Sequence, residues 1–287
     1  MKMESGWHRM KIGIIGLGLM GGSIAMKLKL HHCIAAFDIN PESLLLAAEK
    51  DIVDETYDDI ASFAKAIDVV YLCLYPQTII EFVKQNQSLF RPGTVLIDIA
   101  GIKTKLVNEL VPILRDDLDF VFTHPIAGRE KQGVAFATDA MFNGANYIIT
   151  PTAKNKKENL ELVSNLAKEL GFRHVAQLTP EGHDEIIAYT SQLTHVLSLA
   201  LVNSDDSHYH TSEFIGDSYR DLTRIAMINE TLWSELFLSN KEHLLAKIGD
   251  FQVALEKYRV AIETNNTTLL KTLMIDAKTK RKKIERG

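Results

Sequence analysis

Two hydrophobic textures divide this chain. From Lys11 to about Leu178, short apolar runs rich in β-branched residues alternate with amphipathic stretches of helical period. The strand candidates are Lys11–Ile15, Ile34–Asp38, Val69–Leu74, Thr94–Asp98, Phe120–Phe122, Tyr147–Thr150 and Arg173–Leu178. Between them Ser43–Lys50, Thr78–Gln85, Lys103–Leu114 and Lys157–Leu170 read as helices, and another helical run follows Gly21. Near-continuous apolar strands separated by amphipathic helices predict an α/β, doubly wound, mostly parallel sheet covered on both faces.

After Leu178 the strand pattern stops. Thr179-Pro180-Glu181 is a helix start, a capping hydroxyl followed by proline at the first helical position. Amphipathic segments then run through Ile186–Val202, Ser218–Met227, Glu230–Leu238, Lys241–Glu263 and Thr267–Lys283. The predicted organisation is a flexible leader over 1–9, a nucleotide-type domain over 10–178 and an all-helical domain over 179–287. The helical stripes are wide, with Leu193, Val196, Leu197, Leu199 and Leu201 on the first. A domain of this size can bury such stripes internally, but long helices often bury them against a partner subunit, and a homodimer is the expected arrangement. The basic run Lys278–Lys283 reads as a solvated helix end whose charge complements the dipole.

Bulk properties narrow the class. A length of 287 residues favours two domains over one core. A net charge of −5 lacks the basic excess of a general nucleic-acid binder. No apolar run in the sequence approaches a membrane span, and Met1–Arg9 has no secretory apolar stretch. Cys33 and Cys73 both lie in apolar runs and read as core thiols in a reducing compartment, so a cytoplasmic location is expected and no metal site.

The first strand runs into Gly16-x-Gly18-x-x-Gly21, and Asp38 closes the second strand. A strand before, a helix after and an acid about twenty residues on form the context that a dinucleotide fingerprint requires. Gly16 permits the turn, Gly18 admits a pyrophosphate, and Gly21 lets the helix approach the sheet. Leu19 and Met20 line the same turn, at a helix N-terminus that favours phosphate. Asp38 can accept both ribose hydroxyls and would repel a 2′-phosphate, while Ile39, Asn40 and Pro41 supply no arginine. NAD is the expected cofactor.

Ligands of open parallel sheets sit beyond the strands' carboxyl ends. Three segments leave such ends: Tyr75-Pro76, Asp98 to Lys103 through Gly101, and Thr123-His124-Pro125. His124 is the sharpest candidate, since it follows an apolar strand, is braced by proline, and imidazole suits proton transfer near neutral pH. The helical region adds His195 and Arg224. Arg224 could bind a substrate carboxylate by a charge-assisted pair, or an internal partner such as Asp221.

These segments together resemble the prephenate dehydrogenase family, which includes arogenate dehydrogenases. The resemblance rests on Gly-Leu-Gly-Leu-Met-Gly-Gly-Ser at 16–23, Asp98 with Lys103, His124-Pro-Ile-Ala-Gly128, Glu130-Lys-x-Gly133 and Thr150-Pro151-Thr152. It continues through His183-Asp184, Ser191-x-Leu-x-His195, Asp221-x-Thr-Arg224-Ile-Ala226 and Leu232-Trp233. It implies a Rossmann-type N-terminal domain, a helical dimerisation domain, and NAD-dependent oxidative decarboxylation of prephenate to 4-hydroxyphenylpyruvate. By the same resemblance His124 takes the C4 hydroxyl proton, Arg224 anchors a carboxylate, His195 lines the pocket and Glu130 sits at its edge. Gly101 stands where many relatives carry a serine that orients the histidine, and water or Thr123 could substitute. Arg129 replaces a small hydroxyl residue, and Gln192 replaces a histidine. The alternatives are an arogenate dehydrogenase, another β-hydroxyacid-type dehydrogenase using a helix-borne lysine, and a non-catalytic NAD sensor.

Overall fold

The computed structural model describes residues 9–129, 131–206, 208 and 210–285. The leader expected over 1–9 therefore lies outside the described residues except for Arg9, which is exposed. The first domain is built from β1 (Lys11–Ile15), α1 (Leu19–Leu28), β2 (Cys33–Phe37), α2 (Pro41–Glu49), β3 (Glu55–Tyr57), α3 (Ile60–Ala66), β4 (Val69–Leu72) and α4 (Pro76–Asn86). It continues through β5 (Val95–Asp98), α5 (Thr104–Leu110), β6 (Asp119–Ile126), β7 (Asn146–Thr150), α6 (Lys157–Glu169) and β8 (His174–Gln177).

These strands form one eight-stranded sheet in the order β3-β2-β1-β4-β5-β6-β7-β8. Pairing is parallel except between β6 and β7. Side chains alternate across the pleat, so each strand feeds two cores. One face joins Ile12, Ile14, Tyr71 and Ile97 to Ile24 and Leu28 of α1 and Val163 and Leu166 of α6. The other joins Ile15, Val70, Leu72 and Leu96 to Phe63 of α3, Ile79 and Val83 of α4 and Leu106 and Leu110 of α5. The order in which strands are added reverses between β1 and β4, which puts the crevice at their carboxyl ends.

Several sequence boundaries move. β3 and α3 carry weak patterns and were not expected. The helix predicted over Lys103–Leu114 ends at Leu110, and the one over Ser218–Met227 splits into α9 (Asp217–Thr223) and a tight turn at Arg224–Ala226. β6 is longer than the apolar run Phe120–Phe122, because β7 pairs with it from Phe122 to Ile126. His124 therefore lies within a strand, not after one. β5 pairs β6 only through Val121, so Pro125 occupies a one-sided stretch where a missing N–H is tolerated.

The helical part comprises α7 (Pro180–Ile187), a π-helical turn at Ala188–Gln192, α8 (Leu193–Asn203), α9, α10 (Glu230–Ser239), α11 (Lys241–Glu263) and α12 (Thr267–Ile284). α7 starts as predicted, with the Thr179 hydroxyl accepting from Gly182 N and Pro180 in the first turn. From Pro180 to Asn203 the helix is continuous, and among the described residues it is the one long and apolar enough to cross a membrane by length and composition. Its sequence is not one apolar run, since Glu181, Asp184 and Glu185 interrupt it. The same helix buries His183, Asp184 and Gln192 in a polar network with its neighbours.

Candidate active site

At the turn after β1, Gly16 has φ of 93°, and a Cβ there would stand 2.5 Å from the Cys73 carbonyl oxygen. A Cβ on Gly21 would stand 2.0 Å from the Gly16 carbonyl oxygen, so α1 leaves the turn at a distance only glycine allows. Among the described residues a Cβ on Gly18 meets nothing within 4 Å, and none caps α1 with its side chain. Open space therefore faces a helix N-terminus, the cradle a pyrophosphate requires. Leu19 and Met20 form the first turn of that helix. Asp38 accepts from Leu17 N through Oδ2 and from Asn40 N, at 2.7 Å, through Oδ1. Both oxygens keep a lone pair for ribose hydroxyls, and the backbone bonds fix their direction. The residues present fit NAD.

Tyr75 immediately precedes α4 and Pro76 is its first residue. Here the helical part reaches the nucleotide crevice: Asn229 Nδ2 donates to the Tyr75 hydroxyl at 2.8 Å, and the Glu235 carboxylate accepts from Gln77 N at the start of α4.

The loop after β5 is tied down from beneath. Asp98 and Lys103 are fully buried and paired at 2.5 Å. Lys103 Nζ also donates to the Ala100 carbonyl at 2.7 Å, and Asp98 accepts from Ala100 N and Thr123 N at 2.9 Å each. Burial pulls the Lys103 ammonium below the ordinary lysine range, against the opposing charge of Asp98. This brace carries Gly101 to a point where a Cβ would lie 3.7 Å from His124 Nε2 and 3.4 Å from Leu236 of α10.

Thr123 does not serve His124. Its hydroxyl donates to the Asp98 carbonyl and accepts from the Tyr147 hydroxyl at 2.7 Å. Adjacent strand residues face opposite sides, so the two side chains diverge. His124 is held instead from the helical part. Its Nδ1 lies 2.9 Å from His183 Nε2, and His183 Nδ1 lies 2.7 Å from Asp184 Oδ1. Asp184 further accepts from Lys103 N and Thr104 N at 2.8 Å each. Asn240 donates to the Asp184 carbonyl at 2.8 Å and to Gln192 Oε1 at 2.9 Å, and Gln192 donates to the Leu236 carbonyl at 3.2 Å. Gln192 is thus a structural tie between helices.

Burial lowers the His124 pKa well below the ordinary imidazole value, and the positive charge available to His183 and Lys103 adds to this. His183 is lowered by burial as well, partly offset by Asp184. Burial would raise the Asp184 carboxyl, but hydrogen bonds from His183 and Thr104 outweigh it and hold the group below the carboxylate range. The set is a neutral pair of imidazoles backed by a carboxylate. Such an arrangement can accept a proton at His124.

His195 lies on α8, its Nδ1 2.9 Å from the Ser191 carbonyl and its ring 3.6 Å from the Trp233 ring centroid. Trp233 shares α10 with Leu236, so one helix joins His195 to the Gly101 side of His124. Arg224 is exposed in the turn after α9, a turn that packs on α8. Glu130 lies outside the described residues. His183, Asp184 and Trp233 belong to the motifs of the sequence but carry no role that the sequence alone assigns. The signal for the first two was their position: polar residues on the buried face of α7, beside Ile187 and Ala188.

The chain matches known families along most of its length. A family model described as prephenate dehydrogenase, nucleotide-binding domain, covers residues 24–176, and one described as prephenate dehydrogenase, dimerization domain, covers 179–275. A prephenate dehydrogenase of Bacillus subtilis is 30% identical over 87% of this chain and 69% of its own length. A crystal structure of prephenate dehydrogenase from A. aeolicus, in complex with hydroxyphenyl propionate and NAD+, superposes with a TM-score of 0.88. It is 31% identical, over 98% of this chain and 100% of that one. A Synechocystis arogenate dehydrogenase is 25% identical with a TM-score of 0.81, over 96% of this chain and 100% of that one.

Proposed function

Since this chain belongs to the prephenate dehydrogenase family, we propose that it converts prephenate to 4-hydroxyphenylpyruvate with NAD, on the route to tyrosine. The carrying observation is His124, a neutral imidazole at a sheet end, fixed through Nδ1 and with its Nε2 on the side of Gly101. NAD, when bound, accepts the hydride from ring carbon C4. His124 Nε2 takes the C4 hydroxyl proton as the ring carboxylate departs as carbon dioxide, and the proton can return to the phenolate oxygen. Deprotonation raises electron density at C4, and aromatisation draws the reaction forward. The chain's work is alignment and proton transfer.

Arg224 pairs with a substrate carboxylate, His195 lines the pocket against Trp233, and Gly101 leaves room beside the reacting hydroxyl. Gly16, Gly18, Leu19, Met20, Gly21, Asp38, Tyr75 and Pro76 hold the dinucleotide, and Asp38 sets NAD above NADP. The dividing point between the domains is residue 178, between β8 and α7. A homodimer forms through the helical part, where Leu201, Val202, Val253, Leu255, Met274 and Ile275 are exposed apolar residues. Cys33 and Cys73 are free thiols, in keeping with a cytoplasmic enzyme.

The test is absorbance of NADH on mixing the protein with NAD and either prephenate or arogenate. Rapid reduction on prephenate is expected. NAD binding without turnover of either compound would overturn the reading.

A further inference from the structure

The chain His124–His183–Asp184 carries more information than a brace. Asp184 accepts hydrogen bonds from Lys103 N, Thr104 N and His183, and a carboxylate has no proton to give. His183 must therefore place its single proton on Nδ1, facing Asp184. Its Nε2 is then a bare acceptor, 2.9 Å from His124 Nδ1. One of two facing nitrogens must carry the hydrogen, and it falls to His124 Nδ1. His124 Nε2 is left with a free lone pair on the side of Gly101. Each assignment forces the next.

We propose that His183, oriented by Asp184, is a positioning residue that locks His124 in the Nδ1–H tautomer, so that Nε2 is the proton acceptor. The proposal rests on His124 being the base. It explains how this chain manages with Gly101 and with Thr123 turned away: the imidazole is oriented across the domain junction, from α7, instead of from its own sheet. When Nε2 gains the substrate proton, the Nδ1 hydrogen stays in place. His183 Nε2 and the charge of Asp184 then face the new imidazolium. No second proton has to move. His183 is fully buried and Asp184 is 2% exposed, so water does not compete for these bonds.

The experiment uses full-length protein labelled with 15N-histidine and reads the tautomer of each ring by NMR, with His124→Asn identifying the His124 signals. The wild type should show His124 protonated at Nδ1 and bare at Nε2. In His183→Leu, kcat should fall about 10- to 100-fold with the KM for prephenate within about twofold, the size expected when a reacting group loses alignment. The His124 ring should lose its single-tautomer signature in the same variant. His183→Gln, whose amide oxygen can still accept from Nδ1–H, should recover most of kcat. A wild-type His124 carrying its proton on Nε2 overturns the proposal without any variant having to fold. So does wild-type kcat in His183→Leu. Wild-type turnover in His124→Asn would instead remove the base itself, a separate failure.

Discussion

Gly101 offers the sharpest test of the space around the base. The backbone there lies outside the left-handed region, so a side chain adds no strain. A Cβ would lie 3.4 and 3.6 Å from the two Leu236 methyls and 3.7 Å from His124 Nε2, all ordinary contacts. The hydroxyl of Gly101→Ser stands one bond further out and can reach hydrogen-bond distance of the atom that Nε2 deprotonates. A donor aimed at the developing negative oxygen stabilises it. At a net worth of about 0.5–1.5 kcal/mol for a hydrogen bond, the gain in kcat/KM is roughly 2- to 13-fold. Gly101→Ala supplies the Cβ without the hydroxyl and should stay near wild type. Steady-state NADH formation on prephenate gives both constants, and thermal unfolding checks that neither variant is destabilised. Serine and alanine variants with equal kcat/KM would refute the reasoning, as would a lowered unfolding temperature in both.

Arg224→Ala should raise the KM for prephenate by roughly 10- to 150-fold, since a lost charge-assisted pair costs about 1.5–3 kcal/mol; a wild-type constant would make the residue structural. Asp38→Ala should narrow the ratio of kcat/KM for NAD over NADP, and an unchanged ratio would mean that the carboxylate does not touch the ribose. The pH profile follows from the lowered His124 pKa. A base must be neutral to act, so kcat/KM should fall only as pH drops through that lowered value, below the ordinary 6.5, and stay level from there upward. An acid limb centred at or above 6.5 would contradict the burial argument.

What the sequence revealed was local. The glycine turn, its helix and Asp38 lie within 28 residues, and strand, turn and acid obey fixed short-range geometry. His124 was legible because it follows the apolar run Phe120–Phe122 and precedes a proline. The end of that strand was not, because β7 extends β6 through non-local pairing from Phe122 to Ile126. The partners of His124 were hidden for the same reason. His183 is 59 positions away on another domain, and hydrophobic periodicity marks a buried polar residue only as an exception on its face. Sequence adjacency offers Thr123 as a stand-in for the missing hydroxyl, yet the pleat turns it toward Asp98 and Tyr147. Arg224 was expected on a helix, but the segment tightens into a short turn at that residue.

The most direct test of the central claim compares wild type with His124→Asn, measuring NADH production from NAD and prephenate alongside NAD affinity. Loss of the base should lower kcat by about two to four orders of magnitude while NAD binds as before. Turnover at the wild-type rate in that variant would contradict the account.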